Sequence, residues 1–103
     1  MIAKLVSFQL PADMSRDEVK AAAQEAAEVW VKHPKLIRKD FLLDENNMTY
    51  GYYLFSDRES AEEAHDESFL KQLKDRFGVE PQMQYFDYLM TADAKTGCIT
   101  GME

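Results

Sequence analysis

Met48-Thr49-Tyr50-Gly51-Tyr52-Tyr53-Leu54-Phe55-Ser56-Asp57 is the densest apolar and aromatic run of the chain. It breaks at Ser56, where Ser56 with Glu59 offers a capping box, a hydroxyl followed three residues later by a carboxylate. The stretch therefore reads as a strand running straight into a helix.

Upstream, Leu36 to Leu43 forms the other arm of a hairpin around the turn sequence Asp44-Glu45-Asn46-Asn47. With an even turn, Leu43 faces Met48. Ile37, Lys39, Phe41 and Leu43 then share a face with Met48, Tyr50, Tyr52 and Leu54. Leu36, Arg38, Asp40 and Leu42 share the other with Thr49, Gly51, Tyr53 and Phe55. An odd turn exchanges these partners. Further back, Ile2 to Leu10 is a strand apolar on both sides, which calls for cover on both sides. Between the strands, Ser15 and Glu18 form a capping box with Met14 and Val19 placed as a staple. Val19, Ala22, Ala23, Ala26 and Trp30 recur at helical spacing until His33-Pro34 stops the helix. The alanine stripe is thin, so this helix is expected to lie close on its sheet.

Downstream, the helical stretch Asp57 to Phe77 changes phase, and Asp66-Glu67-Ser68 can cap a restart; two short helices with a bend are expected, closed by Gly78. Gln82 to Leu89 is the last strand. The order is β-α-β-β-α-β, an α+β ferredoxin-like subunit with both helices on one face of a four-stranded antiparallel sheet. Residues 1–90 form this domain, and 91–103 a polar tail or an arm crossing to a partner. The sheet's other face carries aromatics that call for a partner.

A chain of 103 residues with 46% hydrophobic and 30% charged residues is one ordinary globular domain. Its net charge of −7 disfavours phosphate-lined partners, so no nucleic acid is expected. The lone Cys98 excludes an internal disulfide, and no run is long and apolar enough for a signal or a membrane span. A cytoplasmic protein without a membrane partner is the expectation. There is no P-loop, nucleophile elbow or dinucleotide fingerprint, and His33 and His65 lie too far apart for a structural metal motif.

Tyr50-Gly51-Tyr52 and Phe55 match the spacing of aromatics that stack bases in the RNA-recognition motif. Met48 and Thr49 stand where that motif has a basic residue and a glycine, and no basic stripe accompanies them. Gly51-Tyr52-Tyr53-Leu54-Phe55-Ser56-Asp57 is instead similar to the Gly-x-Tyr-Leu-Phe-x-Asp strand-to-helix junction of the YdhR-like monooxygenase family. Ser60-Ala61, Ala64-His65, Ser68 and Phe69 resemble the Ala-His turn after that helix. The resemblance implies a homodimeric α/β-barrel without a bound organic cofactor or metal. It also implies a monooxygenase acting on a small aromatic or quinol-like substrate that itself activates dioxygen. A non-catalytic small-molecule-binding or stress-response dimer is the alternative, and single-stranded RNA binding on the open face a third reading.

A phenolic substrate needs a base for its proton and a donor or cation for the resulting oxyanion. His65 or Asp40 fits the base, Arg38 and Tyr53 the oxyanion. Trp30, Phe55 and Tyr85 suit the pocket wall, and Phe41, Tyr50, Tyr52 and Leu54 the dimer seam. Each also has a plain reading: a surface ion pair for Arg38 and Asp40, a helix-end residue for His65, core aromatics for Trp30 and Tyr53.

Overall fold

A computed structural model describes residues 1–101. The elements are β1 (Ile2–Gln9), α1 (Arg16–Trp30), β2 (Leu36–Leu43), β3 (Met48–Phe55), α2 (Arg58–Glu63), α3 (Glu67–Phe77), β4 (Gln82–Asp87), β5 (Met90–Asp93) and β6 (Cys98–Gly101). β1 to β4 make one antiparallel sheet in the order β2-β3-β1-β4, with β1 at the centre beside β3 and β4. This is the expected ferredoxin-like arrangement, with the helices on one face.

Local chemistry explains most boundaries. Ser15 accepts from the Glu18 amide at 3.1 Å while the Glu18 carboxylate accepts from the Ser15 amide at 3.0 Å, the reciprocal capping box. At the second helix the cap is Asp57, one residue later than the Ser56–Glu59 pair suggests; its carboxylate accepts from the Ser60 amide at 2.8 Å. Asp66 caps the restart through the Phe69 amide at 3.1 Å, so α2 and α3 are separate helices, as the phase change implies. Gly78 closes α3 with φ +70, a left-handed backbone that glycine adopts without strain.

The hairpin register differs from the even-turn expectation. Leu43 faces Thr49, Phe41 faces Gly51, Asp40 faces Tyr52 and Lys39 faces Tyr53. Asn47 turns the chain with φ +63, and the Asp44 carboxylate accepts from the amides of Asn46 (2.8 Å) and Met48 (2.9 Å), so that an odd number of residues separates the paired Leu43 and Thr49 while Met48 pairs with Gln9 of β1. The change exchanges the faces of β2: Lys39 and Phe41 lie on the helix side, Arg38, Asp40 and Leu42 on the open side. A bulge between Leu36 and Arg38 leaves Ile37 unpaired and returns Leu36 to the helix side beside Phe55.

The main core is Ile2, Val6, Tyr53, Phe55 and Ala61, with Trp30, Leu36, Met83 and Tyr85 packed around it. A smaller one on the open face joins Ala3, Leu54 and Tyr88. Helix α1 departs from expectation: it has no fully buried residue, and Ala22, Ala23 and Ala26 face a cavity instead of closing on the sheet. Alanine methyls are too short to fill the gap that Trp30 opens at one end of the helix. The segment expected to be a polar tail or an arm contains most of the antiparallel hairpin β5–β6, on which Met90 and Ile99 are exposed. Residues 102 and 103 of that expected tail lie outside the described residues.

Candidate active site

The pairing of β1 with its neighbours sets one row of side chains across the helix face: Lys39, Tyr53, Lys4 and Tyr85. Two lysines on the buried side of a sheet are costly, since each ammonium gives up its hydration. They are accommodated differently.

Lys4 is fully enclosed. Its amine donates to the Ala61 carbonyl at 2.6 Å, at the end of α2, and meets His65 Nδ1 at 2.7 Å. Burial lowers its pKa to about 8, with Glu62 partly opposing. His65 occupies the bend between α2 and α3, its ring wedged against Tyr53 and Phe69 at 4.7 Å each and Trp30 at 5.3 Å. Burial, and then the positive charge of Lys4 and Lys39, push the imidazole down to about 3. The ring is therefore neutral at physiological pH. With Nδ1 accepting from Lys4, the proton sits on Nε2, which is buried without a hydrogen-bond partner among the described residues.

Among the described residues Lys39 has no such anchors. Its amine lies over three rings, Phe41 at 3.9 Å, Tyr53 at 4.7 Å and Trp30 at 5.2 Å. These faces offer cation–π attraction in place of water. Burial still pushes the amine down to about 7. The side chain fits because residue 51 is glycine. A Cβ there would sit 2.8 Å from Tyr53 Cε1 and 3.2 Å from Lys39 Cε. The phenol of Tyr53 is driven upward by burial and stays protonated, an O–H donor at working pH.

Lys39 and Tyr53 open into a cavity of about 380 Å³ between the sheet, α1 and α3. Val6 and Phe8 form its floor, Ala22, Ala26 and Trp30 one wall, Phe69 and Leu73 the other. Among the described residues its polar groups are few, chiefly Lys39, Thr49, Tyr53, Gln72 and Arg76, and none is a carboxylate. An apolar hollow with a few convergent polar groups is the usual form of a small-molecule site. No group of three or more His, Cys, Asp or Glu side chains suited to a metal occurs among the described residues.

The predicted site residues separate. Tyr53 and Trp30 line the cavity; His65 packs against them from behind and does not reach it. Phe55 is fully buried beneath, stacked on Tyr53. Tyr85 lies at the far end of the row under Lys4 and Arg58. Arg38 and Asp40 form a half-exposed 3.5 Å ion pair on the opposite face, away from Tyr53 and His65. Of the expected dimer seam, Tyr50, Tyr52 and Leu54 are on the open face, Leu54 already covered by Tyr88; the odd turn moves Phe41 into the cavity wall. Lys4 and Lys39 are the functional groups that sequence reasoning missed. The signal for Lys4 was a lone charged residue within a mainly apolar central strand. For Lys39 it was present but attached to the wrong face.

No protein-family model matches the chain, and no curated protein matches it either. Solved structures do. An antibiotic biosynthesis monooxygenase superposes with a TM-score of 0.64 at 14% identity, covering 84% of this chain and 97% of its own. Rv0793 from Mycobacterium tuberculosis gives 0.65 at 12% identity, covering 89% and 98%. The chain shares their fold. A Nitrosomonas europaea protein provisionally named an antibiotic biosynthesis monooxygenase gives 0.56 at 20% identity over 84% of this chain and 97% of its own. These likenesses extend across nearly the whole of each relative, so the ferredoxin-like domain is their common unit. Fold alone does not carry an activity across.

Proposed function

We propose that the chain is a cofactor-independent monooxygenase of the YdhR-like kind, taking a small aromatic or quinol-like substrate into the cavity above Lys39. The observation that carries this reading is the Lys39 amine, held by Trp30, Phe41 and Tyr53 in an apolar hollow with no counter-ion among the described residues. An aromatic ring suits the walls, and a phenolic oxygen suits the amine. A neutral amine can take the phenol's proton, and the resulting ammonium then pairs with the phenolate in a site of low dielectric. An electron-rich phenolate can give an electron to dioxygen. Overall the phenol's O–H and one ring C–H are lost and a second C=O is gained, so that phenol and O2 give a quinone and H2O, and the substrate supplies all four electrons. The roles first sought in His65, Asp40 and Arg38 pass to Lys39, with Tyr53 as the neutral donor.

The reading includes a homodimer. Leu42 and Phe86 are exposed on the open face beside Tyr50 and Tyr52, and a second copy pressed there would close a barrel. A ligand-binding dimer without turnover shares the same cavity; the fixed Lys4–His65 pair, which leaves no histidine base in the hollow, favours it. Oxygen uptake with a panel of phenols and quinols, alongside anaerobic titration of the same compounds, separates the two. Turnover is expected, with Lys39→Met losing roughly 10- to 100-fold in kcat/KM, the worth of one charged hydrogen bond. Binding without uptake would leave the non-catalytic dimer standing. If none of the compounds binds, the cavity is not their site, and a monomer in sedimentation equilibrium would remove the barrel.

A further inference from the structure

We propose that Lys39 is also a nucleophile, its amine forming a reversible imine with a small apolar aldehyde or ketone admitted to the cavity. The two buried lysines differ in the way such chemistry requires. Lys4 spends its amine on the Ala61 carbonyl and His65 Nδ1 and is sealed in the core. Lys39 Nζ opens to the cavity with three aromatic faces around it, and no described carboxylate or hydrogen-bond acceptor holds it as an ammonium. A lysine stripped of water by apolar walls keeps a lone pair available near neutral pH, the condition that activates amine nucleophiles. Its surroundings bear this out: burial brings the amine down to about 7.

The step needs neither oxidant nor reductant. The nitrogen lone pair adds to the carbonyl carbon, and the C=O π pair moves to oxygen. A proton passes from nitrogen to that oxygen, giving a carbinolamine. The nitrogen then expels the oxygen as water, and the C=N bond remains. Tyr53, kept protonated by its burial, is a donor in the same cavity for the carbonyl oxygen. Val6, Phe8, Ala26 and Leu73 grip the apolar remainder of the ligand. The titratable groups facing the hollow with Lys39 are Tyr53 from β3 and Arg76 from α3; the Tyr50 side chain lies on the opposite face of the sheet. β1 and α1 contribute only apolar residues, and His65 and Lys4 stand behind Tyr53. The proposal rests on this cavity and not on the oxygenase reading.

The test is reductive trapping. The intact protein is mixed at pH 7 under nitrogen with cinnamaldehyde and sodium cyanoborohydride, and the alkylated lysines are mapped by peptide mass spectrometry over time. Lys39 is expected to label at least tenfold faster than exposed Lys20 and Lys71, and Lys4 to stay unlabelled. An excess of the apolar ketone 4-phenyl-2-butanone should slow Lys39 alone, and Lys39→Arg should lose the fast label. Labelling of Lys39 at the surface rate, or Lys4 labelling as fast as Lys39, would overturn the proposal. Because dioxygen is excluded, fast labelling in a protein that shows no oxygen uptake would uphold the imine and remove the oxygenase. Uptake without fast labelling would do the reverse.

Discussion

Gly51 is the residue on which the site's geometry turns. Its missing Cβ leaves the volume that the Tyr53 ring and the Lys39 stem occupy, and a methyl there would stand 2.8 Å from the first and 3.2 Å from the second. Gly51→Ala should therefore displace both, costing about 1–3 kcal/mol, the usual range for forcing an extra carbon into packed surroundings. Urea unfolding measures the loss, and trapping of Lys39 should slow in parallel. An alanine variant as stable as the parent, with Lys39 still labelling fast, would mean that the cage has slack and Gly51 is incidental. In the proposed roles, Lys39 itself trades stability for function. Met is likewise unbranched, one atom shorter, and has no charge to desolvate, so Lys39→Met should melt higher than the parent at pH 7, by about 1 kcal/mol of stability, while losing ligand.

At the scale of elements, the helix starts separate what pattern reveals from what backbone geometry decides. The Ser15–Glu18 capping box, the α2–α3 break and the glycine stop were all legible, because each is decided within a single turn of the chain. The cap of α2 shows the limit: Ser56 and Asp57 both suit the position, and Asp57 holds it through the Ser60 amide at 2.8 Å. Asp57→Ala should cost about 1 kcal/mol in chemical denaturation, whereas Ser56→Ala should stay within about 0.5 kcal/mol. Equal losses would put the helix start back at Ser56. The hairpin register was not legible. Both faces of β2 and β3 carry apolar residues, so burial did not choose between even and odd turns. The choice lies in Asn47's left-handed backbone and the two amides bound by Asp44. That one-residue difference moved Lys39 and Phe41 into the cavity and Arg38 and Asp40 out of it. The site was misread for the same reason the register was.

For the whole molecule, the buried cations make a prediction about pH whose sign is set by where protons sit. Lys4 and Lys39 titrate near pH 8 and 7 when folded, against 10.5 when free. Between about pH 7 and 10.5 the unfolded chain thus holds protons the folded chain has released, and stability must rise with pH across that window. His65, at about 3 folded against 6.5 free, acts in the same direction lower down, so acid destabilises the fold as pH falls through 6.5 towards 3. The capping carboxylates Asp57 and Glu18, both held low by the amides they bind, are also lost on acidification. Tyr53 has the opposite sign: its phenol is raised in the folded state, so the stability it carries is present below pH 10 and lost above it. Repulsion within a chain of net charge −7 grows on the alkaline side as well. The optimum should accordingly fall between about pH 9 and 10, unlike the near-neutral optimum usual for proteins whose acid sensitivity comes from carboxylates alone. Melting curves at constant ionic strength should climb by roughly 5 °C from pH 7 to 9.5, corresponding to about 1 kcal/mol in a domain of this size. In Lys39→Met the climb should be shallower, because one of the two releasing groups is gone. A melting temperature flat or falling over that range in the parent would mean that Lys4 and Lys39 stay charged in the fold. The neutral amine on which both the base and the nucleophile roles depend would then be absent at working pH.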